Sequence, residues 1–145
     1  MKNLLKLLAA VAVLAVVPGC AINRSSAMVD GATDLGKVKT VYVTKLPADE
    51  RGINVLIADK LRSKGLAATT GPGKKENVDA VVTYEDKWMW DITMYMLELT
   101  VTVRDPATDY ALATGNAYHT SLTRKSPKEM VDEVIDNIYA KGGKK

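Results

Sequence analysis

A single cysteine and a single histidine occur in the 145-residue chain, and phenylalanine is absent altogether. Counting alone therefore excludes an intramolecular disulfide and a Cys/His zinc site. His119 has only Thr120 and Ser121 as adjacent polar residues, so no pattern supplies an activated nucleophile with an orienting acid, and the residue reads as an ordinary sheet histidine. Excess charge is scarce too. The formal net charge is +3, but Lys2 and Lys6 lie in the N-terminal segment, and without them 18 basic groups face 17 acidic ones. A nearly neutral domain gives no electrostatic case for nucleic acid, which needs clustered Lys and Arg on one face. Long apolar runs are missing as well: residues 7–17 make a stretch of 11, whereas a helix spanning a bilayer needs about 20.

What is present at the N-terminus has a definite layout. Residues 1–20 read MKNLLKLLAAVAVLAVVPGC: a basic start, an apolar centre and small residues at a break, the three parts of an export signal. Val17, Pro18, Gly19 and Cys20 resemble the lipobox of bacterial lipoproteins, although Pro18 departs from the usual small residue. The resemblance implies cleavage between Gly19 and Cys20, acylation of Cys20, and insertion of the acyl chains into the lipid bilayer. Ala21 in place of aspartate implies, by the enterobacterial sorting pattern, the outer membrane with the domain facing the periplasm. The inner membrane and the cell surface stay open as alternatives. An exported protein with one free thiol is exposed to mispairing, and acylation removes that problem.

The expected organisation is a signal peptide over 1–19, a lipidated cysteine and flexible tether over 20–36, an α+β periplasmic domain over 37–141, and a basic tail over 142–145. The tether follows from the Ser, Ala, Gly, Asp and Asn content of AINRSSAMVDGATDLG, with a mean reach of roughly 20–24 Å. Alternation of β-branched residues predicts a strand over 38–46, ended by Pro47. Asp49 is placed to cap a helix over 50–64, where Ile53, Leu56, Ile57 and Leu61 form one stripe, and Gly65 closes it. A short strand over 66–70 and the GPGKKEN loop follow. Two long alternating strands, 79–90 and 93–104, meet at Asp91 and Ile92 as a hairpin. Asp105, Pro106 and Asp109 signal a turn into a strand over 110–121. Ser126, Pro127 and Glu129 stand in register as cap, first position and capping-box acid for a helix over 127–141. The order β-α-β-β-β-β-α predicts a single curved mixed sheet with both helices packed on one face.

Few segments suggest chemistry. GATDLGK, from Gly31 to Lys37, matches most of a phosphate-binding loop, but Val38 replaces the magnesium-holding Ser or Thr, and the segment enters a strand instead of opening a helix. Glu85 and Asp86 are neighbours on a strand and point to opposite faces, so they cannot converge on a metal or a substrate; Asp86 with Asp91 reads as surface charge or hairpin hydrogen bonding. The unusual feature is the hairpin itself. Trp88 and Trp90 share one face of their strand, and Met94 and Met96 share one face of the next, so cross-strand contacts can join them. They fit either a core beneath the helices or a surface contacting a partner or lipid.

The segments VDAVVTYEDKWMWDITMYM (78–96) and LTVTVRDPATDYALATG (99–115) resemble small periplasmic lipoprotein domains of largely uncharacterised function. The element order is similar to auxiliary lipoproteins of envelope transport systems, among them those of lipid-transporting ABC systems and the lipopolysaccharide-assembly lipoprotein. This implies a non-enzymatic envelope accessory or assembly factor that binds a protein partner or lipid; the hairpin supplies the candidate contact residues, Trp88, Trp90, Met94 and Met96, and the residue pattern offers no cofactor or metal site. The alternative is a small periplasmic enzyme such as a hydrolase.

Overall fold

A computed structural model describes Met1 and residues 22–143. The export signal, Gly19, Cys20 and the two terminal lysines lie outside the described residues. The described residues form an α+β domain. Its strands are β1 (Asn23–Val29), β2 (Thr40–Thr44), β3 (Ala67–Gly71), β4 (Ala80–Asp91), β5 (Thr93–Arg104) and β6 (Ala111–His119), with helices α1 (Ile53–Ser63) and α2 (Pro127–Gly142). They make one mixed sheet ordered β1-β6-β5-β4-β2-β3, parallel at the β2–β3 and β2–β4 pairs and antiparallel elsewhere.

Each helix is built as its periodicity requires. Ile53, Ile57 and Leu61 of α1 recur every four residues and are buried, as are Val131, Val134, Ile135 and Ile138 of α2. Both stripes join one hydrophobic cluster with Val41, Val43, Val82, Leu99 and Val101 from the sheet, so the helices share one face of it. Lys60 of α1 and Lys64, which follows its last residue, reach Asp136 of α2 at 3.0 and 2.7 Å; such partly exposed pairs add only about 0.2–1 kcal/mol each. The start of α2 is the expected capping box, with Glu129 N–H donating to Ser126 Oγ at 3.3 Å and Ser126 N–H to Glu129 Oε2 at 2.8 Å. Gly65, at a φ of 89°, ends the turn after α1, where Leu66 N–H reaches back to Leu61 O.

Two expectations at the edges of the domain are corrected. The segment expected as a flexible tether is folded: residues 23–29 pair antiparallel with β6 from Asn23↔His119 to Val29↔Ala113. An edge strand held by backbone hydrogen bonds needs little apolar content, and among its residues Ala27 alone is buried. A 3-10 turn follows at Leu35–Lys37, capped by the Asp34 carboxylate, and Leu35 is 1 % exposed. The second correction concerns the tail. Gly142 belongs to α2 and is buried; a methyl group there would overlap the Leu35 side chain, so the lack of a side chain lets the turn close over the helix end. Leu35→Ala is expected to destabilise the domain by about 2–3 kcal/mol, low in the range for a buried leucine because a surface turn can partly collapse. Urea unfolding measures this, and an unchanged midpoint would remove Leu35 from the core.

Candidate functional site

β4 and β5 continue past their neighbours. β2 pairs with β4 over Ala80–Val82, and β6 pairs with β5 no further than Glu98↔Tyr118. Beyond that level the two long strands form a ribbon that turns at Ile92. Its register breaks once: Lys87 opposes Glu98, but Trp88 opposes Met96, so Leu97 has no residue opposite it. Such a bulge re-aims the side chains that follow it.

The four hairpin residues singled out in the sequence are consequently separated. Met96, which strict alternation places with Glu98 and Thr100, is moved by the bulge to the core side with Leu99, and both are 0 % exposed. Met96 therefore belongs to the core and cannot be a contact residue, a correction to the sequence reading. Trp88 is half-buried against the core; its indole N–H donates to Asp86 Oδ2 at 2.5 Å, and the Arg51 guanidinium lies 4.1 Å from its ring centre. Trp90 and Met94 oppose each other farther out, beyond the cover of the helices, and are 68 % and 48 % exposed. The exposed apolar surface thus keeps Trp90 and Met94 and gains residues that periodicity does not single out. Met89 and Ile92 of the ribbon are exposed, as are Ile22 before β1 and Leu122 in the loop after β6.

Arg124 braces this end from behind. Arg124 donates to Thr93 Oγ1 at 2.8 Å and to the Asp91 carbonyl at 3.4 Å, lies 4.8 Å from the Tyr95 ring centre, and approaches the Asp91 carboxylate at 3.8 Å. The loop carrying Arg51 is fixed by a buried polar network. Asp49 accepts the Tyr84 hydroxyl at 2.6 Å and the backbone N–H groups of Arg51, Gly52 and Asn54 at 2.9, 2.8 and 3.1 Å. Tyr84 Oη in turn accepts Leu46 N–H, and Asn54 donates to Thr70 Oγ1, which donates to Val43 O. Asp49 was expected as the helix cap; instead the chain turns at Gly52, with a φ of 72°, and α1 starts at Ile53. Burial pushes the Asp49 carboxyl up, yet the hydrogen bonds from Tyr84, Asn54 and Arg51 outweigh it and hold it below the usual carboxylate range. Burial, then the bond to Asp49, raises the Tyr84 phenol far above its ordinary value.

Elsewhere the polar groups serve the fold. His119 is buried, with Nε2 2.8 Å from Glu133 Oε2, which also accepts Lys125 at 2.9 Å, tying β6 to α2. A groove of about 600 Å³ on the other face of the sheet is lined by Lys74, Lys75, Thr83, Glu85, Arg104 and Asp109 among others. Its Arg104 donates to Thr83 Oγ1 and the Asp109 carbonyl, bracing the β5–β6 turn. The GATDLGK segment is the 3-10 turn and its approach. Among the described residues, no three His, Cys, Asp or Glu side chains converge as a metal site, and no helix is long and apolar enough to cross a membrane.

No protein-family model and no curated protein matches the chain. Solved structures share its fold. PelC from Paraburkholderia phytofirmans, described as a dodecamer, is 15% identical with a TM-score of 0.57, over 82% of this chain and 96% of its own. A variant of that protein, also a dodecamer, aligns at a TM-score of 0.56 with 15% identity, over 82% of this chain and 95% of its own. A PDZ domain protein from Parabacteroides distasonis is 12% identical with a TM-score of 0.52; the match takes in 82% of this chain and 36% of that one.

Proposed function

We propose that this chain is an envelope lipoprotein: acylated at Cys20 after loss of residues 1–19, held at the outer membrane facing the periplasm, and acting as a non-enzymatic accessory or assembly factor. Its working surface is the exposed end of the β4–β5 hairpin, through which it binds an envelope protein or lipid. The observation that carries this reading is the placement of an exposed Trp/Met/Ile surface on a domain that begins within three residues of a lipobox-like cysteine. Contiguous apolar exposure of this kind marks interaction sites. The fold likeness to PelC fits a role built on contacts, since that protein is described as a dodecamer. A hydrolase would need a nucleophile beside a base, whereas His119 faces Glu133 in the core and Arg104 braces a turn.

A photoreactive residue at Met94, installed in cells, is expected to yield a discrete envelope-protein or lipid adduct. The same residue at Tyr110, exposed at the opposite end of the sheet, should yield none. Equal adducts from both positions would count against the hairpin as the working surface.

A further inference from the structure

The end of the sheet bearing the hairpin tip is also the end at which the chain enters the domain. Asn23 of β1 lies opposite His119, one residue beyond the Tyr118↔Glu98 pair that marks where the ribbon leaves the sheet. From the level of Asn23 to the turn the ribbon rises about 10–13 Å, at about 3.3 Å per residue. Cys20 precedes Asn23 by three residues, a stretch that spans at most about 11 Å even when fully extended. The leash is no longer than the ribbon is tall. With Cys20 at a bilayer surface and the sheet upright, the tip is held at that surface.

We infer that the tip is a membrane seat: Met89, Trp90, Ile92 and Met94 enter the interfacial zone of the bilayer that holds Cys20 and orient the domain on it. The inference rests on Cys20 being acylated, and it commits the hairpin to phospholipid as its occupant. The shape fits, because the tip is convex and protruding. Its chemistry fits as well. Tryptophan suits the boundary between acyl chains and headgroups. Two exposed arginines stand behind the tip, each over an aromatic ring: Arg51 over Trp88 at 4.1 Å and Arg124 over Tyr95 at 4.8 Å. Guanidinium groups at that level meet lipid phosphates. Asp91, the acid at the apex, faces Arg124. Ile92 adds an independent sign. It holds a φ of 62°, a conformation that suits glycine or asparagine and strains a β-branched residue, yet its side chain is 86 % exposed. A strained, exposed isoleucine at the apex serves no packing purpose in water, and it is well placed to enter lipid.

The test uses the full acylated protein carrying Trp88→Phe, which keeps a ring under Arg51 and leaves Trp90 as the sole tryptophan. It is reconstituted into phosphatidylethanolamine/phosphatidylglycerol vesicles with and without brominated acyl chains. Trp90 emission should fall by more than about half in the brominated vesicles, since an interfacial segment sits about 5–10 Å deep, within reach of the bromines. In the Trp90→Phe protein, Trp88 should be quenched far less. The intact mass of each preparation reports the acyl chains. An acylated Cys20 with unquenched Trp90 overturns the seat while leaving the anchor standing. A blue-shifted but unquenched Trp90 also overturns it, in favour of a protein or a second copy on the tip. A mature Cys20 without acyl mass overturns anchor and seat together.

Discussion

Cys20→Ser is expected to abolish the acylated protein completely and, with it, residence in the outer membrane. A hydroxyl cannot replace the thiol that forms the thioether, and no second cysteine exists to substitute for it. The physical consequence is large because anchorage scales with buried methylene groups, each contributing about 0.8 kcal/mol. One chain binds marginally; two or more bind durably. Four or so apolar side chains at the hairpin tip cannot match this, so the variant domain should have at most a reversible attachment. Intact-mass analysis and density fractionation give the readout: a wild-type N-terminus at acylated Cys20 in the outer membrane, and for the variant no acyl mass and no mature protein in that fraction. Wild-type protein with an unmodified Cys20, or one retaining Met1, would falsify the lipoprotein assignment outright.

The same segment shows how far sequence patterns reach. Where a strand or helix buries a whole face, its periodicity announces it: Ile53, Ile57 and Leu61, or Leu99, Val101 and Val103, are both apolar in sequence and buried in space. β1 has no such signal. It buries Ala27 and is held by main-chain hydrogen bonds to β6, which any residue other than proline can make, so AINRSSAMV carries the composition of a linker. Leu35 is likewise one buried residue in a polar stretch. The bulge at Leu97 is invisible to strict alternation, and everything beyond it changes face, which is why Met96 belongs to the core. Trp88 and Trp90 do share a face as period two requires, but burial depends on how far the helices and Arg51 extend over the sheet. That length is a tertiary property. The start of β1 and the apolar tip share one end of the sheet only because β1 runs antiparallel to β6, a pairing between residues about ninety positions apart that no local pattern encodes.

Asp49→Ala is expected to be among the most destabilising single substitutions in the domain, at about 2–6 kcal/mol for two buried donors left unpaired. Asp49 is 6 % exposed and is the common acceptor for Tyr84 and three backbone N–H groups. Truncation leaves buried donors without partners, at about 1–3 kcal/mol for each one that water cannot reach; the Tyr84 hydroxyl and Asn54 N–H are the two set deepest. Asp49→Asn keeps an accepting oxygen and should cost less, and Tyr84→Phe, which deprives Leu46 N–H of its acceptor but leaves Asp49 its three backbone donors, less again. The pH dependence separates charge from packing. The Asp49 carboxyl titrates lower in the folded chain than in the unfolded one, so its contribution is complete at neutral pH and is lost as the pH falls below about 4. The stability gap between wild type and Asp49→Ala should therefore narrow on acidification. Tyr84 titrates higher when folded, so its contribution is present below about pH 10 and is lost as the pH rises further. The network also reaches the hairpin, because the Asp49 turn carries Arg51 onto Trp88. Urea midpoints from pH 3 to 11 for the wild type and these variants measure both limbs. A gap that stays constant down to pH 3 would show that Asp49 acts through its shape and not through its charge.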